Sequence, residues 1–410
     1  MAPTLSAEGK AKLDQILKSN VEAGDIPGST FAVATPDANA PLIYWGTAGD
    51  RHFGDPSKGQ INEDTVLQLM SMTKLVVTVA ALQLVEQGKL SLDDPTLIEK
   101  TIPELCDMEI LTEVTDGKPV TKKRTRPVTL RHLLTHTNGS GYDLMVPLLG
   151  EWAKATGHKG VFANNLSISS FQSPLIFEPG QGWNYSLGLD WTGILIERVT
   201  GQSLDAYFKE HIFNPINAKT LTFTPTPKHY ENLQTPTTRD DKDKLFAFPG
   251  ARETTLESIE GQASGGAGLY GTARDYLIFL QAVMRCKEPG GIISPESYKL
   301  IYTEQRPEAP EGTYEGQYGF AALIPHIHPD LVKNKQLGHS LGGFISKADS
   351  PHGRKAGTDW WEGIYKTFYW MDPTTGVCGV FTTQLFRFGI PDHFEKVFND
   401  LERTLYDNLS

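Results

Sequence analysis

The spacing of Ser71 and Lys74 suits nucleophilic attack on a carbonyl carbon. A free serine hydroxyl is a weak nucleophile, so Ser71 needs a base within hydrogen-bond reach. On a helix, side chains three residues apart share one face, and the nearly continuous apolar run from Leu75 to Leu84 predicts a buried helix. Burial disfavours a charged lysine, so a neutral Lys74 could accept the Ser71 proton. The positive end of this helix would stabilise the oxyanion formed during acyl transfer.

Tyr185 is a second candidate for proton transfer. It lies on a loop marked by Pro179, Gly180 and Gly182, and a helix is predicted to begin near Leu189. A nearby lysine would lower the pKa of a tyrosine on this loop, so that the phenol could relay a proton. Considered alone, Tyr185 would be interpreted as a packing residue, because the chain has 14 tyrosines.

Ser340 is a rival nucleophile. Residues 338–342 fit the G-x-S-x-G pattern of a nucleophile elbow, and His393 follows as a candidate partner. An elbow needs a buried strand before the serine and a helix after it. Residues 331–337 are too polar for that strand, and residues 343–347 favour a second strand where a helix is needed. The sequence therefore favours Ser71.

His132 and His136 are spaced like two metal ligands on one helix. In the zinc motif H-E-x-x-H a glutamate follows the first histidine, and here no acidic residue lies between the two. We therefore expect structural histidines that support the loop near Tyr185. The predicted chemistry needs no metal or cofactor.

Composition excludes several classes of function. The chain has 410 residues and a formal net charge of −11, which argues against a nucleic-acid partner because such binding uses clustered Lys and Arg. No stretch approaches the roughly 18 apolar residues of a membrane span, and no signal peptide is recognisable. Cys106, Cys286 and Cys378 are far apart, which predicts reduced thiols and a cytoplasmic protein.

The basic run at residues 118–126 is predicted to be a solvated loop.

Hydrophobic periodicity predicts that the two ends of the chain share one sheet. A helix over residues 6–23 precedes strands over residues 30–34 and 42–46. Near the C-terminus, a hairpin turns at residues 372–376 and is followed by a helix capped by Asp392. Terminal strands of this kind can join in one antiparallel sheet with both terminal helices packed on it.

The predicted fold class is α+β, an α/β sandwich with a helical insertion. Residues 1–64 and 291–410 are predicted to form the sheet domain, residues 65–290 a mainly helical domain, and the active site is expected at their interface. Residues 224–252 are polar and predicted to be mostly loop. The expected helices of the insertion cover residues 69–88, 130–135, 190–200, 203–211 and 272–284.

Four motifs, taken in chain order, resemble the serine β-lactamase-like superfamily. They are Ser71–Lys74, Leu130–Gly139, Pro179–Ser186 and Gly265–Leu269. This superfamily includes class C β-lactamases, penicillin-binding proteins and family VIII carboxylesterases, and the resemblance implies a β-lactamase/transpeptidase-like fold. Residues 147–152 and 185–191 are most similar to the fungal lovastatin-type acyltransferases.

The resemblance implies roles for several residues. Ser71 would be the nucleophile, and Lys74 and Tyr185 would act jointly as general base and then general acid. The stretch Trp361-Glu362-Gly363 is similar to the Trp-x-Gly motif of family VIII esterases. On that strand the amide of Ile364 would join the amide of Ser71 in an oxyanion hole.

The resemblance also limits the substrate. Trp361 stands where β-lactamases carry a Lys-Thr-Gly strand, and Leu187 stands where they carry an asparagine. Loss of a cation and an amide argues against efficient β-lactam turnover, whereas an aromatic side chain suits an uncharged acyl group. The candidate substrate-binding residues are Trp361, Gly363, Trp183, Leu187, Tyr142 and Trp360.

The expected function is a carboxylesterase acting on small-molecule esters with an uncharged or hydrophobic acyl group. The main alternative is an acyltransferase that moves the acyl group to the alcohol of a secondary metabolite. A β-lactamase or a D-aminopeptidase-type amidase fits less well. A non-catalytic binding protein would be expected to have lost Ser71, Lys74 or Tyr185, and all three are present.

Overall fold

The chain folds into a mixture of helices and antiparallel strands. The computed structural model describes residues 2–161, 166–249, 261–308, 313, 336–387 and 392–410. In these residues the strands are β1 (Ser29–Ala34), β2 (Tyr44–Ala48), β3 (Val66–Gln68), β4 (Ile110–Thr115), β5 (Lys118–Lys122), β6 (Thr237–Arg239), β7 (Leu245–Ala247), β8 (Tyr270–Thr272), β9 (Leu337–His339), β10 (Phe344–Ser346), β11 (Asp359–Gly363), β12 (Thr367–Asp372) and β13 (Val377–Thr382). The α-helices are α1 (Ala7–Ala23), α2 (Thr73–Glu86), α3 (Thr96–Thr101), α4 (Pro103–Cys106), α5 (Leu130–Leu134), α6 (Pro147–Thr156), α7 (Gly188–Thr200), α8 (Leu204–Phe208), α9 (Asn214–Ile216), α10 (Pro227–Glu231), α11 (Ala273–Arg285), α12 (Pro295–Ile301) and α13 (His393–Asp407).

Seven strands form the main sheet, and both ends of the chain contribute to it. Their order is β2-β1-β13-β12-β11-β10-β9, and each neighbouring pair is antiparallel. β1 pairs directly with β13, with Phe31 opposite Phe381. This pairing confirms the predicted sheet of both chain ends. The predicted second strand is wrong by two residues, since residues 44–48 pair with β1.

Helices cover both faces of the sheet. Adjacent residues of a strand point to opposite faces, and two neighbours in β12 show where the helices lie. The ring of Phe368 lies 4.4 Å from that of Phe398 in α13, whereas the ring of Tyr369 lies 5.9 Å from that of Tyr276 in α11. α1 packs beside α13. The terminal helices therefore cover one face, as predicted, and α11 covers the other.

The buried helix α2 connects the sheet to the helical part of the chain. Every side chain from Thr73 to Leu84 is buried. The helices α2, α5, α7, α8 and α11 confirm those expected from periodicity. One continuous cluster of buried residues includes side chains from the predicted sheet domain and the predicted helical domain. The division of the chain into these two domains stays a prediction.

Two predicted loops are partly wrong. Residues 118–122 form β5, an exposed strand that pairs with β4. The polar stretch that begins at residue 224 contains α10, β6 and β7, and its last residues, 250–252, lie outside the described residues. Neither stretch has a continuous apolar face that would have predicted its structure.

In the described part of the chain, no helix is long and apolar enough to cross a membrane. The three cysteines are free thiols, of which Cys286 and Cys378 are buried. Burial raises the pKa of the Cys106 thiol to about 11, so little reactive thiolate is present at neutral pH. These cysteines fit a packing role.

Candidate active site

Ser71 lies in a short 3₁₀ turn, Met70–Met72, that leads directly into α2. Met70 adopts a left-handed backbone conformation with φ of 50°. The Thr73 hydroxyl donates to the Met70 carbonyl at 2.6 Å and closes the turn. The α-helix begins at Thr73, later than predicted, so Ser71 precedes its N-terminus, where the helix dipole is positive.

Lys74 lies on the first turn of α2, with its amine directed at Ser71. Its Nζ lies 3.2 Å from the Ser71 Oγ. The same nitrogen donates to the Gly266 carbonyl at 2.8 Å and lies 3.3 Å from the Tyr142 hydroxyl. The residue is only 2% exposed, and Nζ lies 4.6 Å from the centre of the Tyr185 ring. Lys74 is therefore held in one orientation by partners from distant parts of the chain.

The phenol of Tyr185 reaches the same serine. Its oxygen lies 2.5 Å from the Ser71 Oγ, in a short hydrogen bond for which either hydroxyl can be the donor. Asn184 fixes the loop, because its amide donates to the carbonyls of Ser140 at 3.2 Å and Tyr185 at 2.9 Å. The structure thus brings the three candidate catalytic residues, Ser71, Lys74 and Tyr185, into mutual contact.

His136 also supports the loop that carries Tyr185. Its Nδ1 accepts a hydrogen bond from the Ser186 amide at 3.2 Å, which places the ring proton on Nε2. The ring packs edge-on against Tyr185 at 5.0 Å and stacks on Trp361 at 5.7 Å between centroids. Burial lowers the pKa of His136 well below its usual value, so the ring is neutral.

His132 makes a different, local contact. Its Nδ1 accepts from the Thr129 amide in the N-terminal cap of α5. Burial lowers the pKa of His132 to about 4. Across the residues that the structure describes, no three His, Cys, Asp or Glu side chains are grouped as metal ligands. His136 thus contacts the loop that carries Tyr185, whereas the hydrogen bonds of His132 with Thr129 lie in the cap of α5.

Gly363 ends β11 against the turn that carries Ser71. A Cβ atom at this position would lie 2.9 Å from the Leu69 carbonyl oxygen, so the close approach requires glycine. The Thr367 hydroxyl donates to the same carbonyl at 3.2 Å. Ile364 was predicted to lie on this strand, but β11 ends at Gly363, so Ile364 lies in the turn one residue beyond it. Its amide is the candidate second donor of the oxyanion hole.

A cluster of aromatic rings, here called the aromatic wall, lies beside Tyr185. Its members are His136, Trp183, His339, Phe344 and Trp361. Trp361 is central, with its ring 5.4 Å from that of Tyr185 and 4.5 Å from that of Phe344. Burial lowers the pKa of His339 to about 4. Both imidazoles of the wall are therefore uncharged at neutral pH.

The other candidate substrate-binding residues differ in position. Tyr142 contacts Lys74 through its hydroxyl, and burial raises the pKa of this phenol well above its usual value. Leu187 is buried at the N-terminal cap of α7. Trp360 contacts the aromatic wall at Phe344, whose ring lies 5.1 Å away, but alternation along β11 turns Trp360 away from Trp361 and places its ring 5.5 Å from the Arg354 guanidinium carbon. Trp360 packs in the core instead.

Ser340 does not have the geometry of a nucleophile elbow. It lies in the turn between the strands β9 and β10, so no helix follows it. Its hydroxyl donates to Asp359 Oδ2 at 2.7 Å and accepts from the Gly342 amide at 2.8 Å. The candidate partner His393 contacts Asp243 instead, at 2.9 Å. The structure therefore excludes this rival nucleophile.

Comparison with known proteins gives the family. The family model described as Beta-lactamase matches residues 13–396. The chain belongs to the beta-lactamase family. A lovastatin esterase from Penicillium rubens is 30% identical over 90% of this chain and 91% of its own length. The monacolin J acid methylbutanoyltransferase of Aspergillus terreus is 28% identical over 97% and 95%.

The solved structures agree with this assignment. A mutant of simvastatin synthase from Aspergillus terreus matches with a TM-score of 0.82 and 26% identity, over 98% of this chain and 95% of that chain. The match confirms the predicted β-lactamase/transpeptidase-like α+β fold. The beta-lactamase family relatives include an esterase and acyltransferases, so both expected activities fit the chain.

Sequence analysis missed several residues of this beta-lactamase family site. Gly266 accepts a hydrogen bond from Lys74, and its signal was the Gly265-Gly266 pair within the fourth motif. His339 and Phe344 come from the hairpin beside β11. A strand was predicted at residues 343–347, but strand order cannot be read from local periodicity, so the position of this hairpin was not predictable.

Proposed function

We propose that this protein is a serine carboxylesterase that forms an acyl-enzyme at Ser71. The observation that carries the proposal is the 2.5 Å contact between Ser71 Oγ and the Tyr185 oxygen, with Lys74 Nζ 3.2 Å from the same Oγ. Covalent acyl transfer needs a nucleophile in hydrogen-bond contact with a proton acceptor that is itself held by a third group. These three side chains meet that requirement.

In the acylation step, Ser71 Oγ attacks the ester carbonyl and its proton passes to the pair of Tyr185 and Lys74. The carbonyl oxygen becomes an oxyanion, which accepts hydrogen bonds from the amides of Ser71 and Ile364. Collapse of this intermediate breaks the bond to the alcohol oxygen. The same pair returns the proton to that oxygen, which leaves as free alcohol, and the acyl group stays on Ser71.

The second step decides between hydrolysis and transfer. Water attacking the acyl-enzyme gives a free acid, whereas an alcohol gives a new ester, and the pair of Tyr185 and Lys74 removes the proton in both cases. The stretch Trp361–Gly363 favours the esterase. The methylbutanoyltransferase relative supports the second candidate, an acyltransferase acting on a secondary-metabolite alcohol.

The aromatic wall supports a substrate with an uncharged, hydrophobic acyl group. His136 and His339 are neutral, because burial lowers the pKa of both, so neither would attract a carboxylate. The Leu187 side chain has no amide group that could bind a β-lactam. We therefore expect weak turnover of β-lactams and of D-amino acid amides.

The proposal is tested with p-nitrophenyl esters of graded acyl length, with and without an added alcohol. Ser71→Ala should lose roughly 1,000-fold or more of kcat, because the nucleophile acts as a unit with its base. Ser340→Ala is the matched control, and its turnover should persist. Turnover that survives in Ser71→Ala but not in Ser340→Ala would overturn the proposal. Formation of a new ester in preference to free acid would establish the acyltransferase.

The proposal extends to partners and location. An ester and, for transfer, an alcohol are the partners that this chemistry requires. A cytoplasmic location is supported by the free thiols of Cys106, Cys286 and Cys378. Fractionation of cells that express the native protein tests it, and recovery outside the cytoplasmic fraction would contradict it.

A further inference from the structure

Asp190 is a buried carboxylate beside the candidate active site that the reaction steps do not use. It lies in the first turn of α7 and is only 1% exposed. Its Oδ1 accepts hydrogen bonds from the Ser264 hydroxyl at 2.6 Å and from the Gly266 amide at 2.9 Å. Burying a charge without partners is costly, so a carboxylate kept at this depth needs these donors.

The Gly266 residue links Asp190 to Lys74. Its amide donates to Asp190, and its carbonyl accepts from Lys74 Nζ at 2.8 Å. A Cβ atom at Gly266 would collide with the Asp190 carboxylate, so this approach is open only to glycine. Asp190 therefore fixes the backbone group that orients the lysine.

Asp190 and Lys74 also interact electrostatically. Burial raises the pKa of Asp190, while the positive Lys74 and the bonds from Ser264 and Gly266 oppose this rise by favouring the carboxylate. The other titratable groups facing Lys74, within the described residues, are Tyr142, Tyr185 and His136. Burial keeps Tyr142 and His136 neutral, since it raises the pKa of the first and lowers that of the second.

We propose that Asp190 is a positioning residue that holds Lys74 against Ser71 through the Gly266 peptide, and that its negative charge sets the pH range in which the Lys74 and Tyr185 pair works. This inference rests on the proposed function. Loss of the carboxylate charge disfavours a protonated lysine nearby. The activity profile should therefore move toward lower pH, whichever member of the pair takes the serine proton.

The test compares Asp190→Asn with Asp205→Asn, using p-nitrophenyl butyrate from pH 5.5 to 9.5. Asp205 is a matched control in α8, because it also accepts from a hydroxyl, that of Thr222 at 2.7 Å, and from an amide, that of Phe223 at 2.7 Å. Asparagine keeps an acceptor oxygen for Ser264 and Gly266 but carries no charge, so for Asp190→Asn we expect the profile of kcat/KM to move to lower pH. Asp190→Ala also removes the acceptor, and for this variant we expect kcat to fall about tenfold or more while KM stays within about twofold. Asp205→Asn should keep the wild-type kcat and profile.

An active wild type whose Asp190→Asn variant keeps the pH profile overturns the role of the charge, and one whose Asp190→Ala variant keeps kcat overturns the positioning role. A wild type without turnover, and without phosphonate labelling of Ser71, overturns the proposed function and this inference with it. If Asp190→Ala does not fold, Gly266→Ala takes its place, because the added methyl displaces the same peptide. A tenfold fall in its kcat at unchanged KM supports positioning, and wild-type kcat excludes it.

Discussion

The hydroxyl oxygens of Ser71 and Tyr185 lie 2.5 Å apart, although 114 residues separate them in the chain. The Asn184 side chain donates a hydrogen bond to the Tyr185 carbonyl, and the neutral ring of His136 packs against the Tyr185 ring. Lys74 approaches the same serine from its own helix. A proton leaving Ser71 therefore meets an acceptor whose position is set before any substrate binds, which is how an active site avoids the cost of reorganisation.

Removal of the Tyr185 hydroxyl should lower kcat far more than substrate affinity. For Tyr185→Phe we expect kcat for p-nitrophenyl butyrate to fall about 100- to 10,000-fold, the usual contribution of a positioned acid–base group, with KM within about threefold. Tyr142→Phe is the control, since its hydroxyl contacts Lys74 at 3.3 Å. It should lose about tenfold at most. A Tyr185→Phe enzyme that keeps a third of wild-type kcat would contradict the assignment.

The local parts of the site were predictable from the sequence. The spacing of Ser71 and Lys74, and the apolar run after them, are local patterns, and α2 follows them. The hairpin of β12 and β13 also follows from its own turn residues. Helix and hairpin signals depend on neighbours in the chain, so one sequence is enough to find them.

The non-local parts of the site were not predictable in the same way. The contacts of Lys74 with Gly266 and of Asp190 with Ser264 join the helices α2 and α7 to a loop that is distant in sequence, and tertiary packing alone creates them. Asp190 did leave a signal, as an acidic residue at the start of an otherwise apolar helix. The orientation of Trp360 could also have been predicted, because period-two alternation along a strand puts it on the opposite face from Trp361.

The close contact at Gly363 gives a prediction about the oxyanion hole. In Gly363→Ala the new Cβ would collide with the Thr367 hydroxyl and lie 2.9 Å from the Leu69 carbonyl oxygen, which would push β11 from the Ser71 turn. We expect kcat to fall about 10- to 100-fold, because small displacements of catalytic donors are costly. Esterase kinetics measure this effect.

A control for this variant is Gly357→Ala. Gly357 has a φ of +87° and open space around its Cβ position, so alanine there strains the backbone without touching the site. It should cost about 1 kcal/mol of stability and leave kcat unchanged. Equal losses of activity in the two variants would show that Gly363 acts only through stability.

The buried ion pair of Arg354 and Glu402 should be sensitive to loss of one partner. The two side chains are 1% exposed, with Nε 2.6 Å from the carboxylate. Arg354→Met should lower the free energy of unfolding by about 3–5 kcal/mol, because it leaves an uncompensated buried charge. The double variant Arg354→Met, Glu402→Leu should recover part of this loss. Urea unfolding measures both, and a double variant no more stable than the single one would contradict the explanation.

Asp359 should make the protein less stable as the pH rises. Burial raises the pKa of Asp359 to about 7, although Ser340 and Tyr369 donate hydrogen bonds to it. Between pH 4 and pH 7 the folded protein keeps a proton that the unfolded chain releases, so stability falls with rising pH in this window. Asp359→Asn removes this contribution. The unfolding free energy of wild type relative to the variant should therefore drop by roughly 2–4 kcal/mol from pH 4 to pH 8. Asp349 is exposed, so wild type measured relative to Asp349→Asn should show no such drop. If the free energies of unfolding of wild type and Asp359→Asn change in parallel with pH, Asp359 is not protonated in the folded protein.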